Sequence, residues 1–481
     1  MRNRLLYISL IIMLASCSDF LDVEPDEQVS ISEQLSTQEG VEEAVSGIYF
    51  SIEAQLSGFV HTYPGITGGN ITFAPRISNR ELEVPSDIDL TYNFESREDS
   101  FDFESYYDNG YDDINAINLI LANIDSFEFL TDGQRDQLEA EMLTARALSH
   151  YQLSLLFSQN RNFTSDGSHL GIVYNTRQLE ASIDFPARNT VNEVYELLQA
   201  DLERALELFT GTSFLDVGPE RSYFNETNTR AIYARVALQY NDWETAAFQA
   251  NEVISNSNVS LTSQDQYVDQ WLTDQDLNEG LLTFSAPQTS EGDVSSSVSA
   301  YYLFTNQNIY NRFVASDDLL DLFEDDDIRR ELYQEQTLPT SRFGEIEFED
   351  YNFSLKYQED NATTFIRLSE MYLIHAEALA RLNTDNGLAL SRLNDIRNRA
   401  GIESLDSTDN LLEEIFLERR REVAFESQLL YDLMRYEKDI ERDQGCLSNV
   451  CNLSYPSPFF ILPIPEESVI NNENMIQNEG Y

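Results

Sequence analysis

Apolar residues recur every three to four positions in one segment after another, and the segments come in pairs joined by short polar turns. This pattern constrains the fold most, because such a stripe is buried only along one side of a helix packed on another helix. Tyr107, Tyr111, Ile114, Ile117, Leu121 and Ile124 form one stripe over 106–124. Thr131-Asp132-Gly133-Gln134 opens the next helix, with Thr131 as its N-cap, through Leu138, Met142, Ala145, Leu148, Leu153 and Leu156. A third covers 189–209 on Val191, Val194, Leu198, Leu202, Ala205 and Leu208. Residues 229–240 and 243–254 predict a hairpin about an Asn241-Asp242 turn. Helices over 364–382, 388–400 and 411–436 follow, the second of them stopped by Gly401.

Small residues stand where paired helices would cross: Ala231, Ala234 and Ala237 against Ala246, Ala247 and Ala250, and again Ala376, Ala378 and Ala380. This is the logic of tetratricopeptide-like hairpins, although no strict repeat period survives. Two long stretches break the series. Residues 55–105 are rich in Gly, Pro, Thr, Asn and aromatics, and 256–360 include Ser295-Ser296-Ser297. Long loops of this kind are usually functional. Short strands are expected within them, one at Leu281-Leu282-Thr283-Phe284.

Charge narrows the partners. Asp and Glu total 85, Lys and Arg 30, and the net charge is −55 at pH 7. Phosphate backbones would repel such a chain, which excludes nucleic-acid binding, and docking on an anionic membrane through a basic patch is excluded likewise. A 42% hydrophobic content with 25 Tyr and 28 Phe is a folding composition, so the acid excess reads as a solvated surface suited to a salty exterior.

The first residues are expected to lie outside the fold. Arg2 and Arg4 precede an apolar run over 5–14, and Leu14-Ala15-Ser16-Cys17 follows. The run is too short for a stable membrane span and reads as an export signal over 1–16. The small residues before Cys17 match a bacterial lipobox, which would leave Cys17 acylated as the membrane anchor and as the first mature residue. The alternative is an ordinary signal peptide beside an unrelated cysteine. Cys446 and Cys451, in Cys-Leu-Ser-Asn-Val-Cys, read as a local disulfide that stiffens one turn, with free thiols as the alternative.

Catalytic signatures are missing. His150 and His375 sit within helical stripes and read as packed side chains, and no HExxH, GxSxG, phosphate-loop or dinucleotide glycine pattern occurs. Glu324-Asp325-Asp326-Asp327 lacks the spacing of a calcium loop and reads as a solvated loop before Arg329. Arg367 with Glu370, Glu377 with Arg381, and Glu418 with Arg421 and Glu422 share helix faces. Such charges can tie hairpins together. Exposed, each pair would contribute under ~1 kcal/mol.

Specific strings then resemble the SusD/RagB family of outer-membrane nutrient-binding lipoproteins. Cys17-Ser18-Asp19-Phe20-Leu21-Asp22-Val23-Glu24-Pro25 is similar to that family's mature start, and Tyr111 to Asn118 to its first repeat helix. Glu141 to Tyr151, Arg367 to Ala378, Asn394 to Gly401 and Glu418 to Glu422 resemble its later helices, and Leu462-Pro463-Ile464-Pro465 through Tyr481 its end. The chain departs from the family at Glu426-Ser427-Gln428-Leu429, where Glu-Gly-x-Arg is usual, and at Glu479, where Pro is usual.

The resemblance implies one SusD-like domain over 17–481. Its fold would be mainly α, with tetratricopeptide-like hairpins forming a right-handed superhelical scaffold over 106–255 and 363–440. A loop-rich ligand half with a few short strands would occupy 55–105 and 256–360. It implies a SusC-like TonB-dependent transporter as partner, an oligosaccharide ligand captured outside the cell and left chemically unchanged, and no cofactor. Oligopeptide capture is the rival within the binding class, and a lipid-anchored glycoside hydrolase is a remote one. Sugar sites present flat rings to pyranose C–H faces and amides to hydroxyls. Aromatics in the two loop-rich stretches fall outside the helical period, so Tyr63, Phe73, Tyr92, Trp271, Tyr301, Tyr302 and Tyr310 are the candidate stacking residues. Asn70, Asn93 and Asn306 are the neighbouring amides. The competing reading is that a loop aromatic packs its loop down.

Overall fold

The computed structural model describes residues 31–180, 183–215, 218–273, 277–285, 298–342, 344–358 and 362–481. The export signal, Cys17 and Ser295-Ser296-Ser297 lie outside the described residues. The first long helix, α1 (Gln38–Leu56), was not among those expected. Then come α2 (Glu104–Asn123), α3 (Asp132–Phe157), α4 (Val191–Leu208), α5 (Glu226–Gln239), α6 (Trp243–Asn256) and α7 (Gln264–Thr273). Four more follow, α8 (Leu368–Leu382), α9 (Asn386–Arg399), α10 (Leu411–Glu422) and α11 (Leu429–Arg435), before a short helix over Glu466–Asn471. From α1 to α6 each helix packs on the next, α6 packs on α8, and α8, α9 and α10 pack mutually. The fold is thus mainly α, a stack of helical hairpins.

Local chemistry sets the helix starts. Thr131, Thr190 and Asn225 each accept a backbone N–H three residues on, from Gln134, Glu193 and Asn228, whose side chains reach back to the capping backbone. Each cap contributes about 1 kcal/mol. All six stripe residues of α4 are buried, and so are the crossing alanines of α5 and α6. His150 stacks on Tyr174 at 3.7 Å inside the helical layer.

Two expected helices are corrected. Residues 362–367 are strand β8 (Ala362–Arg367), antiparallel to β2 (Gly280–Ser285), so α8 starts only at Leu368. The run Thr363-Thr364-Phe365-Ile366 is β-branched and aromatic and buried throughout, which hides its period of two. The helix expected over 411–436 is split, because Phe425 (φ 67°) and Ser427 (φ 62°) take left-handed backbone between α10 and α11. Ser427 stands where the family resemblance leads one to expect glycine.

The stretch 256–360 is more ordered than expected. Besides α7 it holds β3 (Phe304–Asn306), β4 (Ile309–Tyr310), β5 (Phe313–Ala315) and the long hairpin β6 (Tyr333–Arg342) and β7 (Glu345–Ser354). With β1 (Ile71–Phe73), three of these form a four-stranded antiparallel sheet in the order β1-β5-β7-β6. Cys446 and Cys451 are joined in a disulfide.

The charged motifs are not surface pairs. Arg235 on α5 and Arg419 on α10 both hold Glu370 of α8, at 2.5 and 3.1 Å. Arg419 continues to Asp432 at 2.8 Å, and Arg435 joins Asp432 to Glu377 at 2.8 Å each. A second string runs from Glu279 through Arg367 (2.6 Å) to Glu422 (2.5 Å), then through Arg329 (2.9 Å) to Glu418 (2.7 Å). Arg367 therefore pairs with Glu279, Glu422 and Glu426 and not with Glu370. Asp327, expected in a solvated loop, is buried against Arg329 at 2.7 Å. Burial alone would raise the Glu370 carboxyl, but the Arg235 and Arg419 guanidinium groups hold it at about 2.

Removing one member of such a network strands its buried partners. Arg367→Met should cost ~3–5 kcal/mol in denaturant unfolding or prevent folding. Arg204→Met, losing a half-exposed pair with Glu139 at 3.2 Å, should cost under ~1 kcal/mol. Equal costs would contradict the assignment. Ser427→Gly should raise stability by up to about 1 kcal/mol, because glycine accepts φ 62° without a Cβ penalty. A lowered melting temperature would contradict that.

Candidate functional site

Where the sheet ends, the chain over 76–95 makes one wall of an open cleft of about 660 Å³. A turn over 76–81 sets its shape: the Arg80 N–H donates to the Arg76 carbonyl at 2.8 Å and the Arg76 N–H to the Glu81 carbonyl at 2.8 Å. Arg80, at φ 63°, reaches across to the Gln307 carbonyl and the Asn308 side chain, both at 3.2 Å. Gln307 in turn donates to the Thr337 carbonyl at 3.2 Å, fixing the β3–β4 hairpin to β6. Further along the wall, Asn93 donates to the carboxylate and the carbonyl of Asp89, both at 2.9 Å. Asp102 accepts the Thr91 N–H at 2.7 Å, which pins this turn.

The opposite wall is the disulfide-closed loop, which contributes Leu447 and Asn449. It rests on Tyr92, whose hydroxyl accepts the Leu447 N–H at 3.2 Å. Beneath it the Arg442 guanidinium lies 4.1 Å from the Tyr92 ring centre and donates to the carbonyls of Tyr92 (3.0 Å), Cys451 (3.3 Å) and Val450. Thr72 of β1 donates to the Gly445 carbonyl at 2.8 Å, and Gly445 has φ 75°, a conformation that favours glycine. The turn that the disulfide stiffens is thus a wall of the cleft.

Amides (Asn93, Asn449), a hydroxyl (Ser86), carboxylates (Glu83, Asp89, Glu95) and an arginine (Arg76) converge there over apolar Leu82, Val84 and Leu447. Arg76 is paired with Glu83 at 2.5 Å. This arrangement offers donors and acceptors to a hydroxyl-rich or amide-rich chain without sealing it from water. Among the described residues no cluster of three His, Cys, Asp or Glu side chains could hold a metal ion, and no helix is long and apolar enough to cross a membrane. A groove of about 880 Å³ beside Leu35 and Ser36 lies where the described chain begins. The small pocket between Tyr240, Tyr431 and Met434, about 30 Å³, has room for a water and not for a ligand.

The expected aromatic platform is corrected. Tyr63, Phe73, Tyr92, Trp271, Tyr302 and Tyr310 are all buried. Tyr63 meets Phe103, Phe73 meets Tyr92, and Tyr302 meets Phe425 edge-on at 5.0 to 5.4 Å. Tyr310 donates to the Pro75 carbonyl at 2.8 Å. Trp271 is on α7, not in a loop, and packs on Tyr357 and the Lys356 ammonium. Tyr301 keeps part of its surface and packs on Phe59 at 5.4 Å. Asn70 is buried and accepts from Arg420 at 2.7 Å. Asn306 is exposed and accepts the Asn308 N–H at 2.9 Å at the hairpin tip. Of the ten, Asn93 alone lines the cleft, with Tyr92 as its support. Arg76, Glu83, Asp89, Glu95, Leu447 and Asn449 were missed. The one sequence signal for them was the cysteine pair, which marked a rigid turn in an otherwise irregular stretch.

Two family models match the chain, one described as the SusD family over 218–481 and one as starch-binding associating with outer membrane over 19–240. SusD-like protein P2 of Formosa agariphila is 24% identical over 100% of both chains. The starch-binding protein SusD of Bacteroides thetaiotaomicron is 30% identical over 25% of this chain and 22% of its own length. A SusD superfamily crystal structure from Bacteroides thetaiotaomicron superposes with a TM-score of 0.79 at 24% identity, covering 92% of this chain and 99% of that one. With the first model spanning more than half of the sequence and the helical stack matching in shape, the chain belongs to the SusD family.

Proposed function

We propose that the protein is a cell-surface lipoprotein, anchored through Cys17 on the extracellular face of the outer membrane, that binds oligosaccharide or polysaccharide and delivers it to a SusC-like TonB-dependent transporter. The observation that carries this reading is the cleft, where Asn93, Asn449, Ser86 and Asp89 gather hydrogen-bonding groups over Leu82, Val84 and Leu447. Hydroxyls of a sugar chain bond such groups, and its C–H faces lie on the apolar floor. Membership of a family with a starch-binding relative supports the ligand class, and the description of the second model supports the membrane. The protein acts by binding and leaves its ligand unchanged. A second reading, an oligopeptide ligand, is favoured by one fact: the residues lining the cleft carry no aromatic ring.

Affinity electrophoresis against a polysaccharide panel, with a casein peptide digest as competitor, separates these readings, and release of free sugar during incubation would instead show a hydrolase. Asn93→Ala and Asn449→Ala should each weaken binding by about 1–3 kcal/mol while the melting temperature changes little. Loss of binding only in step with loss of stability would remove the cleft from the site. Cys17→Ala should release the protein from membranes. The wild type, extracted in mild detergent, should co-purify with a much larger β-barrel transporter; membrane retention of the variant, or recovery of the wild type alone, would contradict the anchor or the partner respectively.

A further inference from the structure

We propose that the cleft selects uncharged glycan chains and rejects those carrying carboxylate or sulfate groups, an inference that rests on reading the cleft as a glycan site. Arg76 is neutralised by Glu83 at 2.5 Å. Arg312 is half-buried and donates to the carbonyls of Ala74 (3.1 Å) and Glu83. Arg442 is buried, donates to the carbonyls of Tyr92, Val450 and Cys451, and does not line the cleft. Arg80 is held by Gln307 and Asn308 of the hairpin, and Arg97 by Asp99 at 3.3 Å. Of the groups lining the cleft, Arg76 alone is cationic, against Glu83, Asp89 and Glu95, so an acidic sugar entering it meets more repulsion than attraction.

The carboxylates are arranged the other way. Asp87, Asp89 and Glu95 are exposed, and Asp89 and Glu95 line the cleft itself. Asp89 takes its hydrogen bond from the neutral amide of Asn93. The net charge of −55 adds a long-range repulsion of the same sign. An uncharged sugar meets none of this, because carboxylates and amides both accept hydroxyl protons.

The test compares starch, xylan, laminarin, galactan and mannan, each with its own sulfated derivative, by affinity electrophoresis of the full-length wild type. Retention by at least one neutral polymer is expected, with binding to its sulfated derivative on the order of tenfold weaker at low salt. The gap should close as salt rises, because the repulsion is screened beyond ~10 Å at 0.1 M. In Asp89→Asn/Glu95→Gln, checked for an unchanged melting temperature, the gap should shrink several-fold. Tighter binding of any sulfated derivative than of its parent, or binding of it that weakens as salt rises, overturns the inference. An unchanged gap in the double variant also overturns it, by placing the selectivity outside the cleft. Retention of the wild type by no polymer of either kind removes the glycan reading itself, and this inference with it.

Discussion

Buried guanidinium–carboxylate contacts fix how the helical stack and the sheet sit on one another. Of the chain's 30 basic residues only Lys356 and Lys438 are lysines. The planar fork of arginine can bond two or three carboxylates at once, and Arg329, Arg367 and Arg419 do so in the interior. Taking ions out of water is costly, so such a network adds little net stability over a well-packed apolar core. Its effect is to make any other arrangement of α5, α8, α10 and α11 worse, since each misplaced helix would leave a buried charge alone.

The same network reaches the cleft. Lys356, just past β7, donates to the carbonyls of Glu422 (3.2 Å) and Ala424 (3.0 Å) and to Glu426 at 2.7 Å. His61 meets the Phe425 carbonyl at 3.0 Å, and Arg420 of α10 donates to Asn70 beside β1. β1 pairs with β5, and Thr72 of β1 supports the disulfide loop. A chain of contacts thus runs from the helical frame through the sheet to the cleft wall. The groups that line the cleft, though on an irregular stretch, are thus held by a rigid base.

How much was legible differs between the two halves. The α4 stripe, the Thr131 cap, the alanine crossings and the Asn241 turn followed from spacing alone, because a one-sided stripe and a capping residue each have a single physical use. β8 was hidden because both its faces are buried, and the break at Phe425 and Ser427 because neither is a residue that normally marks left-handed backbone. The charged motifs do tie hairpins together, but spacing carries no information about solvation or about partners on other helices, so neither their burial nor the pairing of Arg367 away from Glu370 was legible. The site was read least well. Tyr92 and Trp271 look alike in a loop-rich sequence whether they face water or the core, and here the core claims both, while the cleft is lined by a mixture of polar and aliphatic residues with no pattern of their own.

Hydrogen exchange of the full-length protein, with and without the polysaccharide that retains it, tests most directly where ligand sits on this frame. Slowed exchange is predicted over 76–95 and 446–451, with no change across the ion-paired segments 367–382 and 411–435. Protection confined to the helical faces, with both cleft walls unchanged, would contradict the assignment of the site.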